Sequence, residues 1–374
     1  MKNALVYVYS GLKGADPAIA ELATSELARQ YALTFVVLND EPGSGFEECL
    51  RRTGCPTFHI RYRGKGDLPT AVFSMFVLLR RLRPAIVHTH LLDANLVGLL
   101  AAVAARVPRR IYTRHHGNQN HRLYPHAVYY DRLCNRLATA IVATSESGRR
   151  VLTEKESVPP RKIALVNHGF NIDRFRTVDA ALVERMKAQY GMTGRYPVIG
   201  VFARQVEMKG VRHVLEAFRT IVATHPSAYL VCSNAYPSAY RRELEPLFAA
   251  LPAGSYVEIE SETNVHVLYR TLDVFVHAPV EPAYEGFGMV YVEALISGVP
   301  SVFTMSGIAG EFVKDGENAL VVDYRNSAQI AAAIETILAD PDLANRLRSR
   351  GRESVIERFS HEKMVDGLLG VYRA

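Results

Sequence analysis

Short hydrophobic runs rich in β-branched and aromatic residues alternate along the chain with stretches of helical spacing. In the first half these runs lie at residues 5–9, 33–38, 57–60, 85–90, 110–113, 140–143 and 163–166, and helical spacing appears at 19–30 and 72–82. A second series lies at 198–202, 229–232, 257–259, 274–277, 301–303 and 319–322. Alternation of strands and helices predicts parallel sheets covered by helices. We therefore expect two doubly wound α/β domains that face a cleft.

A polar segment separates the two series and marks the predicted domain junction. Residues 179–196 combine the spacing of a short helix with the turn residues Gly191 and Gly194, and Pro197 follows. The prediction is one domain at 1–178, a linker at 179–196, a second domain at 197–354 and a terminal helical segment at 355–374.

The charge is divided unevenly between the two halves. The whole chain carries a net charge of +6, but residues 1–178 hold 25 Lys and Arg against 14 Asp and Glu. A basic half indicates a polyanionic partner or surface, and nucleic acid, anionic lipid headgroups and phosphorylated substrates all qualify. An Arg-rich composition without such a partner is the plain alternative.

Composition excludes several other classes. Hydrophobic residues make up 48% and charged residues 22% of the chain, as in ordinary globular proteins. The longest uncharged apolar run, residues 96–105, is half of what a membrane span requires, and no signal peptide is evident at the N-terminus. The four cysteines lie far apart, so we expect neither a zinc site nor a disulfide framework, and a cytoplasmic location.

The segment from Glu285 to Glu293 is the most informative part of the sequence. It follows a predicted strand, and Gly286 and Gly288 remove side chains where the backbone enters a helix predicted over residues 288–297. The amides at the N-terminus of a helix form an anion site suited to a diphosphate. A carboxylate such as Glu293 accepts two hydrogen bonds from a ribose diol.

A second loop adds positive charge. Arg204 and Lys209 flank a tight loop after the strand at residues 198–202, and the carboxyl ends of strands are where α/β sheets bind ligands. Arginine pairs with two phosphate oxygens at once and lysine supplies a point charge. Two solvated surface cations are the alternative interpretation.

Together these motifs resemble the family-4 retaining glycosyltransferases, which share the GT-B architecture of two Rossmann-like domains. The resemblance extends over nearly the whole chain, and its most specific element is an E-x7-E pair. The matching segments are Arg204-x4-Lys209-Gly210, Leu268-Tyr269-Arg270-x2-Asp273-Val274-Phe275-Val276, Glu285-Gly286-Phe287-Gly288-x4-Glu293-Ala294, Asn167-His168-Gly169-x3-Asp173-x-Phe175, Pro84-Ala85-Ile86-Val87-His88-Thr89-His90 and Thr113-Arg114-His115-His116-Gly117. In this family the last helix crosses back onto the first domain.

The resemblance implies a role for each matching residue. Arg204 and Lys209 would bind the donor diphosphate and stabilise the charge of the leaving group, and Glu293 would bind the ribose. Glu285 would bind the transferred sugar. The donor-binding segment would be completed by Gly286, Phe287, Gly288, Met289 and Val290. No D-x-D motif lies in a strand–helix loop, so we expect neither a metal nor another cofactor.

Two segments depart from the family pattern. The family often has one histidine before a glycine, whereas here His115 and His116 are adjacent. Counting from Thr113 favours His115 as the catalytic histidine and the neighbouring Gly117 favours His116, so both stay candidates. In the loop after the first strand, Gly14 replaces an adjacent Gly-Gly pair and is a candidate for contact with the donor phosphates.

The predicted function is transfer of a sugar, with retention, from a UDP- or GDP-sugar to a glycan or lipid-linked acceptor in polysaccharide or glycolipid synthesis. The alternatives are a GT-B nucleotide-sugar epimerase and, from another class, a nucleic-acid-binding protein. The latter lacks interleaved aromatic and basic residues, so we expect no nucleic-acid partner. Residues 72–83 fit either a core helix or a helix at an anionic membrane surface. Peripheral attachment to the inner face of the membrane therefore stays open.

Overall fold

The computed structural model describes residues 2–14 and 17–374. It divides into two compact units, and one of them combines the chain up to Phe170 with His361–Ala374. The other unit spans Asn171–Ser360. The division falls before the predicted junction, so the segment expected to be a linker, residues 179–196, lies inside the second unit and contains the helix Ala180–Gln189.

The described residues form thirteen strands. In chain order they are β1 Asn3–Ser10, β2 Tyr31–Asn39, β3 Thr57–Arg61, β4 Ile86–His90, β5 Arg109–Arg114, β6 Ala140–Ala143, β7 Ile163–Leu165, β8 Val198–Phe202, β9 Tyr229–Ser233, β10 Tyr256–Ile259, β11 Val274–His277, β12 Ser301–Phe303 and β13 Leu320–Val321. Each overlaps a predicted run, because isolated β-branched and aromatic clusters mark buried parallel strands.

Helices connect the strands. In chain order they are α1 Pro17–Glu21, α2 Glu26–Gln30, α3 Gly45–Arg51, α4 Leu68–Leu82, α5 Leu92–Ala104, α6 Gln119–Leu123, α7 Ala127–Leu137, α8 Glu146–Arg150, α9 Ile172–Arg176, α10 Ala180–Gln189, α11 Val211–Thr224, α12 Ala239–Ala249, α13 Val265–Tyr269, α14 Met289–Ile296, α15 Ala309–Phe312, α16 Ser327–Ala339, α17 Pro341–Ile356 and α18 His361–Arg373. The helix expected over residues 19–30 is instead two helices, because Ser25 ends the first segment and its hydroxyl caps α2 by accepting from the Leu27 amide.

In the first unit the described strands form one parallel sheet in the order β3-β2-β1-β4-β5-β6-β7. Alternate residues of β1 pack on opposite faces: Leu5 and Tyr7 belong to one core, and Val6 and Val8 belong to the other. The first core also contains residues of α18, and the Tyr372 hydroxyl lies 2.7 Å from that of Tyr7. The terminal helix therefore completes the first unit, although it begins at His361 and not at residue 355.

In the second unit the described strands form a parallel sheet in the order β10-β9-β8-β11-β12-β13. One core of this unit combines residues of β8, β9 and β11 with α11, α12 and α16. The order reverses between β8 and β11, and the carboxyl ends of the strands at such a point are where open α/β sheets place ligands. Two parallel sheets with helical crossovers confirm the predicted α/β class.

Candidate active site

The loop after β8 carries two of the predicted donor-binding cations. Arg204 lies just beyond the strand, and Lys209 ends a short turn before α11. Gly210 joins the turn to the helix with a φ of +68°, and a Cβ there would lie 1.9 Å from the carbonyl oxygen of Ala278. Because only glycine permits this approach, Gly210 keeps Lys209 close to the segment that follows β11.

Lys209 forms an ion pair with Glu285, the first glutamate of the E-x7-E pair. Only 15% of the Lys209 side chain and 9% of the Glu285 side chain are exposed. His277, the last residue of β11, places Nε2 at 3.0 Å from the same carboxylate oxygen, Oε1. Among residues 2–14 and 17–374, nothing hydrogen-bonds to the other oxygen of Glu285, Oε2. That oxygen is free to accept a hydrogen bond from a ligand hydroxyl.

The electrostatics of this cluster keep Glu285 ionised. Burial alone would raise the pKa of the Glu285 carboxyl, but the charge of Lys209 and the hydrogen bond from His277 hold that pKa well below its usual range. Burial also lowers the pKa of His277. The arrangement is a neutral imidazole and an ammonium donating to one carboxylate, which suits Glu285 to accept hydrogen bonds and not to donate a proton.

The helix α14 begins immediately beside Glu285. Gly288 caps it with a φ of +87°, and a Cβ there would lie 2.7 Å from the ring of Tyr291. No side chain caps this N-terminus, so its amides are oriented toward any anion bound there. The Phe287 carbonyl accepts from the Ile308 amide at 2.8 Å, which fixes the turn. The predicted donor-binding backbone runs through Gly286, Phe287, Gly288, Met289 and Val290.

Glu293, the second glutamate of the pair, lies in the middle of α14. The buried Tyr269 hydroxyl donates to its Oε2 at 3.1 Å. Burial and the neighbouring Glu293 raise the pKa of Tyr269 well above its usual value, so the phenol stays a donor. Tyr269 holds one side of the carboxylate in place.

Arg204 differs from Lys209 in its surroundings. Its side chain is exposed, and in the described part of the chain no hydrogen bond or ion pair engages its guanidinium. The structure thus brings Lys209, Glu285 and the start of α14 together. Arg204 lies on the same loop as Lys209, but its side chain is exposed to solvent.

The two candidate histidines of the first unit lie beyond the carboxyl end of β5 in different environments. His115 places Nε2 at 3.0 Å from Nδ1 of His90, and its ring stacks on His168 with centroids 5.4 Å apart. Burial and the repulsion of neighbouring histidines hold the pKa of His115 well below its usual value. His115 is therefore a neutral imidazole within a row of histidines.

His116 instead belongs to a buried ionic network. Its Nε2 lies 3.2 Å from Oδ1 of Asp131, which also pairs with Arg114 at 3.1 Å. Arg114 pairs in addition with Glu156, and both of these side chains are fully buried. Removing one member would leave a buried charge unpaired. These contacts give His116 an internal structural partner.

Gly14 lies on the described loop after β1, and a Cβ there would meet no atom within 4 Å. The local backbone therefore does not require glycine at this position. Its assignment to the donor site stays a prediction.

The sequence patterns did not single out His277, and they placed Tyr269 in a family-like segment without assigning it a role. Both are buried residues that touch a predicted site glutamate through a side-chain hydrogen bond. A histidine at the carboxyl end of a predicted strand was the only available signal for His277.

A cavity of about 600 Å³ opens at the carboxyl ends of β1 to β4 in the first unit. Its lining includes Ser10, Asn39, Arg61, Tyr62 and Asp93. Asn39 is 3% exposed, and its Oδ1 has no hydrogen-bond partner. The cavity is therefore a polar pocket with an unused buried acceptor.

The described residues show neither a metal cluster nor a membrane span. Across residues 2–14 and 17–374, no three His, Cys, Asp or Glu side chains are grouped so that they could hold a metal ion. In the same ranges no helix combines the length and apolar character that crossing a bilayer demands.

Comparison with known proteins identifies the class. Residues 14–174 match the family model of Glycosyltransferase Family 4, and residues 183–354 match that of Glycosyl transferases group 1. The chain shares 18% identity and a TM-score of 0.85 with Anabaena HepE in complex with UDP-glucose, over the full length of both chains. The fold is that of the GT-B glycosyltransferases.

Proteins similar in sequence are also glycosyltransferases. The chain is 25% identical to the capsular polysaccharide biosynthesis glycosyltransferase CapM of Staphylococcus aureus, over 81% of this chain and 80% of CapM. It is 33% identical to the lipopolysaccharide core biosynthesis glycosyltransferase LpsE of Rhizobium meliloti, over 56% of this chain and 57% of LpsE. The two family models together cover most of the sequence, and the chain belongs to glycosyltransferase family 4.

Proposed function

We propose that this glycosyltransferase moves a sugar from a nucleotide-diphosphate donor to a glycan or lipid-linked acceptor, with retention at the anomeric carbon and without a metal ion. The observation that carries the proposal is the Lys209–Glu285–His277 cluster beside the uncapped start of α14. A largely buried cation near the N-terminus of a helix suits a leaving diphosphate, whose charge grows as the glycosidic bond breaks.

The proposed roles follow from charge and exposure. Lys209 and the free Arg204 bind the diphosphate, and Glu293, held by Tyr269, accepts from the ribose hydroxyls. The ionised Glu285 accepts from the transferred sugar through Oε2. Because its low pKa keeps Glu285 charged, it serves as a hydrogen-bond acceptor and not as a general acid.

Sugar transfer is favoured over epimerisation because both matching family models are of glycosyltransferases. UDP is the favoured donor nucleotide, since HepE shares this fold in complexes with UDP and UDP-glucose. GDP stays the alternative. Release of nucleoside diphosphate only when acceptor is present would distinguish transfer from epimerisation, and proton NMR of the product would test retention.

Nucleotide binding gives the direct test of the donor site. We expect UDP or GDP to bind with micromolar affinity in calorimetry and NAD not to bind, and Glu293→Ala to weaken binding about tenfold or more, because a ribose loses two hydrogen bonds. Glu243, an exposed glutamate of α12, supplies the control Glu243→Ala. Absence of binding of both nucleotides to the folded wild type would contradict the proposal.

The polar cavity of the first unit is the proposed acceptor pocket. Its lining contains donors such as Arg61 and acceptors such as Asp93. Interspersed donors and acceptors suit the hydroxyls of a glycan terminus. The carboxyl ends of parallel strands are also the expected position for a ligand.

A helical layer of the first unit supports attachment to an anionic membrane surface. The helix α5 contacts both α4 and α7, so the three helices cover the same side of the sheet. Their exposed apolar side chains include Phe73, which is 67% exposed, and Tyr129, which is 70% exposed. Residues 72–83 were predicted to form either a core helix or a surface helix, and the helix has features of both. Met75 and Leu79 are buried, whereas Phe73 and Val77 are exposed.

Positive charge predominates on the exposed side of this layer. The helix α4 contains no acidic residue and ends with Arg80 and Arg81. The acid of α7, Asp131, is buried, and that of α5, Asp93, accepts from the Tyr62 hydroxyl. Exposed apolar groups beside unopposed arginines are typical of surfaces that bind anionic lipid headgroups.

Vesicle flotation tests the membrane proposal. We expect the wild type to float with phosphatidylglycerol-containing vesicles at low salt, and Arg80→Glu/Arg81→Glu to weaken binding about tenfold or more, because each surface arginine contributes about 1 kcal/mol. Arg219→Glu/Arg242→Glu, in the second unit, makes the same charge change at exposed sites and serves as the control. A wild type that does not float would overturn the proposal.

A further inference from the structure

Three histidines line one edge of the sheet in the first unit. His90 is the last residue of β4, His115 follows β5 directly, and His168 follows β7. The ring centroids of His90 and His115 are 5.2 Å apart, and those of His115 and His168 are 5.4 Å apart. The parallel register places these side chains together at the carboxyl ends of their strands.

A single hydrogen bond joins His90 and His115. Nδ1 of His90 lies 3.0 Å from Nε2 of His115, and burial keeps both imidazoles neutral by lowering both pKa values. In a pair of neutral imidazoles one nitrogen donates and the other accepts. Two arrangements are therefore available, and they leave the proton of His115 on different nitrogens.

The second nitrogen of His90 decides between the two arrangements. Nε2 of His90 is buried and has no hydrogen-bond partner. If His115 donated, His90 would carry a buried N–H with nothing to accept it, and orphaned buried N–H groups are rare because they lose their hydration without compensation. If His90 donates through Nδ1, its Nε2 is only an unused lone pair. The second arrangement costs less.

We infer that His90 is a positioning residue that holds His115 as the Nδ1–H tautomer, so that His115 presents a hydrogen-bond donor to the substrate and cannot act as a base through Nε2. This inference rests on the proposed function in giving His115 contact with substrate. Among residues 2–14 and 17–374, no hydrogen bond engages Nδ1 of His115. The tautomer itself is independent of any activity.

The ring of His90 is fixed by its neighbours. Tyr9 stacks on it with centroids 4.6 Å apart and an interplanar angle of 19°, and His88 packs against it at 4.4 Å. His88 is held in turn by Thr113, whose Oγ1 lies 2.8 Å from its Nε2. The stacking holds the plane of the His90 ring, and the hydrogen bond from Nδ1 to His115 selects its orientation within that plane.

The test combines a spectroscopic signature with kinetics. Protein labelled with ¹⁵N-histidine, with His115 assigned by the loss of its signals in His115→Gln, reports the tautomer through the two ring-nitrogen shifts. We expect the Nδ1–H form in the wild type. His90→Asn, whose amide can donate from the Nδ1 position, should preserve it, whereas His90→Phe should release it.

Kinetics with the nucleotide sugar selected by calorimetry complete the test. His90→Phe should lower kcat about tenfold with little change in the donor KM, and His90→Asn should stay within about threefold of the wild type. An Nε2–H tautomer of His115 in the wild type would overturn the inference even if His90→Phe failed to fold. An unchanged kcat in His115→Gln would count against its proposed contact with substrate and leave the tautomer result standing.

Discussion

Lys209→Ala is expected to abolish sugar transfer, with kcat/KM falling by about 10³, and to destabilise the second unit. Loss of one preorganised charge at a developing anion costs about 3–4 kcal/mol of transition-state stabilisation. The same substitution leaves the buried Glu285 with His277 as its remaining partner at Oε1. Leaving one member of a buried ion pair unpartnered costs a further 3–5 kcal/mol or so of folding stability.

Two further variants separate the catalytic effect from the structural one. Arg204→Ala removes an exposed, unpaired cation from the same loop, so it should lower activity while changing the free energy of unfolding by less than about 0.5 kcal/mol. Lys209→Met/Glu285→Gln removes both charges of the pair, so it should recover stability without recovering activity. The measurements are nucleotide release from the donor selected by calorimetry and urea unfolding followed by circular dichroism.

These variants also define what would contradict the site. Wild-type kcat/KM in both Lys209→Ala and Arg204→Ala would exclude the loop after β8 from the reaction. Normal stability of Lys209→Ala would show that Glu285 does not depend on its ammonium partner. In that case the claim that the Lys209–Glu285 ion pair stabilises the fold would be wrong, whatever the effect on activity.

The strands were predictable from sequence, whereas some helix boundaries were not. Buried parallel strands require compact β-branched clusters, which stand out between polar segments. A helix boundary depends on single caps: the hydroxyl of Ser25 divides the predicted helix over residues 19–30, and the Asp340 side chain caps α17 by accepting from the Leu343 amide. The boundary between the two units depends on contacts between residues that are far apart in sequence. Local sequence patterns carry no information about such contacts.

The site residues divide in the same way. Lys209 and Glu285 were predicted from separate motifs, yet their contact joins residues 76 positions apart and depends on the close approach that Gly210 permits. His277 gave no periodic signal, because a single histidine at the end of a strand looks like any other polar terminus. Sequence also left His115 and His116 equivalent, and only tertiary contacts distinguish the His90 partner of one from the Asp131 partner of the other.

Acidification is expected to destabilise the first unit by about 4 kcal/mol or more between pH 7.5 and pH 5.0. Burial lowers the pKa of His88 to about 3 and that of His168 to about 4. In the unfolded chain both titrate near pH 6.5, so below that pH the unfolded state binds protons that the folded state excludes. Each such histidine costs about 1.4 kcal/mol per pH unit. His90 and His115 act in the same direction.

The pH window distinguishes the histidines from the carboxylates. Glu285 has a lowered pKa, so its contribution to stability is lost only below the ordinary glutamate value of about 4.3, and the histidine effect is separate between pH 6.5 and 5.0. Urea unfolding at a series of pH values, followed by circular dichroism, measures the slope. His168→Asn should reduce that slope by about one proton, whereas His126→Asn, at an exposed site, should leave it unchanged. A stability that stays constant from pH 7.5 to 5.0 would mean that these imidazoles take up protons in the folded state, and the neutral histidine row on which the tautomer of His115 depends could not exist.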